Sequence, residues 1–123
     1  MKKLPKTTSK RSPCPVATTL DVVGDKWSLL IVRDIGVFGY HRNKEFQDRR
    51  EGIPTNILAA RLKSLQESGI IRKERYQAHP PRYEYHLTEA GKALIPVVGE
   101  MAKWSANNVA GIRMPKLGKA ARP

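Results

Sequence analysis

With a single cysteine, Cys14, in 123 residues, the chain can form neither an intrachain disulfide nor a cysteine-built metal cluster. Its three histidines, His41, His79 and His86, are scattered, and none has a cysteine or carboxylate at the spacing of a metal site or a catalytic triad. Neither a glycine-rich phosphate loop nor an internal repeat of 20–50 residues is present. These gaps argue against an enzyme, a metal site and a cofactor. No apolar run approaches the roughly 20 residues that span a bilayer, so no membrane partner is expected. Behind the basic start Met1-Lys2-Lys3 there is no apolar stretch, which does not fit a signal peptide and suggests a cytoplasmic protein.

What is present in excess is positive charge, +12 in all. Lys2, Lys3, Lys6, Lys10 and Arg11 open the chain unopposed, and Arg113, Lys116, Lys119 and Arg122 close it the same way. Setting those nine aside leaves 14 basic against 11 acidic side chains. The composition therefore suggests basic flexible tails at 1–13 and 110–123 around one domain at 14–109. Such tails attract any polyanion. The middle of the chain has to identify the partner.

Cys14-Pro15 opens a helix with Val16, Ala17, Leu20 and Val23 at helical spacing, stopped by Gly24. Asp25 is placed to cap a second helix, with Trp27, Leu30, Ile31 and Ile35 on one face and Lys26, Arg33 and Asp34 nearer water. Asn43 is placed to cap a short third helix. Pro54 starts a fourth, in which Leu58, Leu62 and Leu65 form a buried stripe that ends at Gly69. Residues 70–77 and 82–87 read as strands around a stiff Ala78-His79-Pro80-Pro81 turn, with Tyr83 and Tyr85 facing inward. Thr88 caps a long last helix to about Val109, bent at Pro96. The order predicts a mainly α fold with a small β-hairpin wing: a winged helix-turn-helix whose terminal helix serves dimerisation.

The fourth helix has the length of a helix that reads the major groove of double-stranded DNA. Its polar face offers Asn56 to adenine, Lys63 to guanine or phosphate, and Thr55 to either. Ala59 and Ala60 are small enough to permit close approach and to touch a thymine methyl. Arg72, Lys73, Arg75 and Arg82, with His79 at the tip, make the hairpin a basic wing suited to the backbone or minor groove. Arg42 and Lys44 can bind flanking phosphates. Each of these charges can equally be a solvated surface group.

Cys14-Pro15-Val16, Gly24-Asp25-Lys26-Trp27, Ile53-Pro54-Thr55-Asn56-Ile57-Leu58, Arg61-Leu62, Pro80-Pro81-Arg82-Tyr83-Glu84-Tyr85 and Leu87-Thr88-Glu89-Ala90-Gly91 stand in one order over residues 14–108. In that order they resemble the HxlR-type winged helix-turn-helix regulators. The resemblance implies a prokaryotic repressor or activator whose outer helices form a homodimer. It carries the recognition role onto Thr55, Asn56, Ala59, Ala60, Arg61 and Lys63 and the wing role onto Arg82. On a helical wheel Arg61 falls near the core edge, as a fold brace or a phosphate ligand, the former being favoured. In some members the cysteine matching Cys14 senses oxidants or electrophiles, which makes Cys14 a candidate redox sensor; a small buried packing residue is the alternative.

Val97, Val98, Met101 and Trp104 share one broad face of the last helix, and burying it against a second copy sets two recognition helices about 34 Å apart. A Trp104 that closes the monomer's own core is the alternative. The sequence thus points to a regulator that binds a pseudo-palindromic operator as a homodimer, with its effector, an oxidant or a small molecule, open. A basic RNA-binding or ribosome-associated protein is the rival.

Overall fold

The computed structural model describes residues 3–4 and 11–114; the expected tails lie mostly outside the described residues. The elements are α1 (Pro15–Val23), α2 (Ser28–Gly36), α3 (Asn43–Gln47), α4 (Thr55–Glu67), β1 (Ile71–Gln77), β2 (Arg82–Leu87), α5 (Glu89–Lys92) and α6 (Ile95–Asn108). The fold is the expected mainly helical one with a two-stranded antiparallel hairpin.

Ile31, Val32 and Ile35 of α2, Phe46 of α3, Leu58, Leu62 and Leu65 of α4, and Ile71, Tyr85 and Leu87 of the hairpin form the core. The leucine stripe of α4 thus faces inward, as its spacing requires. α4 ends in a paired-bond motif: Gly69 N–H donates to Gln66 O (3.1 Å) and Ile70 N–H to Leu65 O (2.9 Å). The motif needs a left-handed residue, and Gly69 supplies it at φ +79°. The chain therefore turns at once from α4 into β1, and this fixes the hairpin beside the helix.

β1 and β2 pair with Ile71 opposite Leu87, Lys73 opposite Tyr85 and Glu74 opposite Glu84; a bulge between Arg75 and Gln77 leaves Tyr76 out of the ladder. Tyr85 N–H donates to His41 O (2.7 Å), which ties the loop before α3 to the hairpin. Thr88 Oγ1 accepts from Gly91 N–H (3.1 Å) and caps α5, while Thr88 N–H donates to Ile70 O (3.0 Å). The Thr88-to-Gly91 segment is thereby locked onto the start of the wing.

Several local expectations are corrected. The single bent last helix is two helices, broken at Ala93-Leu94, with Pro96 in the first turn of α6. A proline costs little there, because a first-turn N–H has no helical partner to lose. α2 begins at Ser28 rather than Lys26, yet Asp25 still caps it by accepting from Trp27 N–H (2.9 Å) and Ser28 N–H (3.0 Å). The cap of α3 is not the Asn43 side chain. Glu45 reaches back to accept from His41 N–H (2.9 Å) and Arg42 N–H (3.1 Å). Asp34 is buried, not near water, because Arg33 (2.8 Å) and Arg49 (3.3 Å) surround its carboxylate. Tyr83 shares a hairpin face with buried Tyr85 but lies two residues nearer the tip, and it is 40% exposed.

Candidate nucleic-acid interface

α3, the turn through Gly52 and α4 form a helix-turn-helix, and the turn depends on Gly52 at φ +67°. Two contacts hold this unit on α2. Arg61 Nη1 lies 3.5 Å from Asp25 Oδ1. Arg33 grips Glu51, in the turn itself, through two hydrogen bonds of 3.1 and 3.0 Å. Burial works against the ionised form of Asp25, but the hydrogen bonds from Ser28 and Trp27 and the Arg61 charge outweigh it and lower its pKa. The Arg33 hydrogen bonds hold Glu51 below the usual glutamate range.

Braced in this way, α4 turns Thr55, Asn56, Ala59, Ala60 and Lys63 to solvent as one exposed face. Arg61 lies half-buried on the other side, against Asp25, and stands apart from that face. Arg72, Lys73, Arg75, His79 and Arg82 are all exposed on the wing. They are not equivalent. Arg72 is bound to Glu74 (2.9 Å), and Lys73 sits 4.4 Å over the ring of Tyr83. Arg42 lies 4.0 Å over the ring of Tyr76 and 3.5 Å from Glu84, and Lys44 is 4.0 Å from Asp48. Lys63, Arg75 and Arg82 have no ion-pair partner among the described residues. Between α3 and the wing runs an open groove of about 660 Å³, lined by Arg42, Lys44, Lys73 and Arg82 among others. Such a cationic furrow beside an exposed polar helix suits a phosphate backbone.

A model of the HxlR-like helix-turn-helix matches residues 22–112. The chain belongs to the HxlR-like helix-turn-helix family. As a member of that family it is a DNA-binding transcriptional regulator and not an enzyme. It is 38% identical over 91 residues to the HTH-type transcriptional regulator YdeP of Bacillus subtilis, which covers 74% of this chain and 70% of YdeP. Among solved structures it is similar to the redox regulator HypR in its oxidized form, at 38% identity and a TM-score of 0.69, covering 77% of this chain and 97% of HypR. The reduced form of the transcriptional regulator YodB from B. subtilis is 31% identical with a TM-score of 0.65, covering 79% of this chain and 95% of YodB.

Two further sets of residues frame this HxlR-like unit. On α6, Val97, Met101 and Trp104 are exposed, Trp104 at 64%. Trp104 does not close the monomer's core. Val98, expected in the same face, instead packs against the chain's own core. Val16 and Leu20 of α1 are exposed as well, a feature that the helical spacing of α1 did not reveal. Cys14 is exposed at the N-terminal boundary of α1 and is therefore not a buried packing residue. Nearby Arg11 is engaged with Asp21 (3.0 Å) and Ala17 O (3.0 Å). The sequence reading also missed the Arg33–Glu51 grip. Its residues stand 18 positions apart, and no periodicity connects them.

Proposed function

We infer that this HxlR-like regulator works in the cytoplasm as a homodimer that binds a pseudo-palindromic operator, with one α4 in each of two successive major grooves. The observation that carries this is the exposed face of α4, where Asn56 and Thr55 stand in the first turn and Ala59, Ala60 and Lys63 follow. Asn56 reads adenine, Lys63 takes guanine or a phosphate, and the alanines admit the helix to the groove. Arg75 and Arg82, with Lys73 and His79, grip the strand alongside. Arg42 and Lys44 hold the phosphates flanking α3.

The exposed apolar residues on α1 and α6 support the dimer, since water-exposed Val16, Leu20, Val97, Met101 and Trp104 would be covered by the same surface of a second copy. Selection of bound sequences from a random duplex pool tests the whole scheme. An inverted repeat with half-sites about 10 base pairs apart, centre to centre, is expected. Recovery of single half-sites, or of no preferred sequence, overturns it.

Cys14 is the response element. Its exposure at a helix start and the similarity to the redox regulator HypR support this assignment. Being the chain's single cysteine, it reacts by pairing with the Cys14 of a second copy, by forming an adduct with a small thiol, or by direct modification. Oxidant-driven release from the selected operator should disappear in Cys14→Ser, and its persistence there would assign sensing to something else, such as a bound small molecule.

A further inference from the structure

The hairpin face that carries Arg72, Glu74, Glu84 and His86 lies opposite the one that carries Ile71, Tyr85 and Leu87, and DNA recognition leaves its carboxylates unused. The register sets Glu74 directly across from Glu84 and Arg72 directly across from His86. Like charges in directly opposed positions repel. Even so, the two carboxylates turn one oxygen each toward a single nitrogen: His86 Nε2 is 3.0 Å from Glu84 Oε1 and 3.5 Å from Glu74 Oε1. The three atoms lie within 4.8 Å of one another.

The other oxygens are held from outside. Arg72 Nη1 is 2.9 Å from Glu74 Oε2, and Arg42 lies 3.5 Å from Glu84 Oε2. The His86 ring is stacked on His41 with centroids 4.3 Å apart, and His41 Nδ1 is anchored at 3.0 Å from Tyr85 O. The second oxygen of each carboxylate is thus held by a guanidinium and the His86 ring by stacking, contacts that orient the three side chains as outer-shell partners do in metal sites.

We propose that Glu74, Glu84 and His86 bind one divalent first-row transition-metal ion, of which Zn²⁺ is the representative. Ligands about 2.0–2.2 Å from a tetrahedral ion stand roughly 3.3–3.6 Å from one another. The His86–Glu74 separation of 3.5 Å falls inside that spacing, and the His86–Glu84 separation of 3.0 Å opens to it by a few tenths of an ångström. Exposed Glu74 closes the remaining edge by a side-chain rotation, and water takes the fourth position. One imidazole and two carboxylates suit Zn²⁺, whereas Mg²⁺ and Ca²⁺ demand more oxygen ligands. In the bound form Nε2 carries the metal and the imidazole hydrogen resides on Nδ1. The site stands or falls without reference to DNA.

A network of ion pairs around a protonated His86 would show the same distances, and titration separates the two. The full chain carrying Cys14→Ser, which removes the thiol as a competing ligand, is titrated calorimetrically with ZnCl₂. His86→Ala and Glu74→Gln are compared in the same background, with circular dichroism confirming that each folds. One ion per chain is expected, with affinity about 10-fold or more weaker in each variant, and MgCl₂ should not substitute. Absence of saturable Zn²⁺ binding overturns the proposal, as does undiminished affinity in either variant. Glu84→Gln serves as the second arm if His86→Ala does not fold.

Discussion

Arg61 reaches across from α4 to Asp25, the same carboxylate that caps α2 through Trp27 N–H and Ser28 N–H. One side chain therefore fixes both the start of α2 and the azimuth at which α4 presents its polar face. Asp25→Ala removes the cap and the tie together and should lower stability by about 1–2 kcal/mol in urea unfolding. Arg61→Ala loses a partly exposed ion pair and should cost less than about 1 kcal/mol. If Arg61 is a brace, the salt dependence of DNA binding stays unchanged in Arg61→Ala. A slope reduced by about one ion would make it a phosphate ligand instead.

Asn56 stands in the first turn of α4, exposed. Asn56→Ala should weaken binding to the selected operator by about 1–3 kcal/mol and leave binding to unrelated duplex nearly unaltered. Arg82→Ala, by contrast, should weaken both alike and shallow the salt slope by about one. Parallel titrations on the two duplexes at several salt concentrations distinguish a base-reading residue from one that binds only the backbone. Equal losses for Asn56→Ala on both duplexes would remove its base-reading role.

The parts of this molecule that were legible in its sequence are those governed by local spacing. The Leu58, Leu62, Leu65 stripe, the stop at Gly69 and the Thr88 cap each follow from rules within one or two helical turns, and the structure shows all three. What escaped depends on partners distant in the chain. Asp34 looks like a solvent-facing residue on a helical wheel, and its burial rests on Arg33 beside it together with Arg49, which arrives from beyond α3. The cluster of Glu74, Glu84 and His86 exists because of hairpin register, which the strand patterns alone leave open. For Tyr83 the alternation rule gave the correct face, but it carried no information on how far along the hairpin the core extends.

The exposed α6 face makes a separate prediction about assembly. Met101 and Trp104 stand three positions apart on it and are 51% and 64% exposed in the monomer. Charges introduced there should cost the isolated fold little and the dimer a great deal. Trp104→Glu combined with Met101→Glu should therefore shift sedimentation to the monomer, retain the helical circular dichroism, and cut operator affinity more steeply than affinity for a single half-site. A double variant that remains dimeric would place the interface elsewhere.

Glu51 links stability to pH through the helix-turn-helix. Its hydrogen bonds from Arg33 depress its folded-state pKa, so its contribution is complete above the ordinary glutamate value of about 4.3 and is lost as pH falls through the lower folded value. Asp34, bound to the same arginine, runs the other way. Burial raises its carboxyl despite Arg33 and Arg49, so its contribution is greatest in acid and declines as pH rises through the folded value. The parent's acid slope is the difference between these opposed effects, to which Asp25, also depressed, adds on the side of Glu51. Glu51→Gln removes one of them and leaves the other carboxylates in place. Urea unfolding of parent and variant at neutral pH and at about pH 3.5, below the ordinary glutamate value, should show the variant less stable at neutrality and the gap narrowing in acid. A gap that stays constant would mean that the Arg33 grip contributes nothing through the Glu51 charge, and that the turn is held by packing around Ile53 instead.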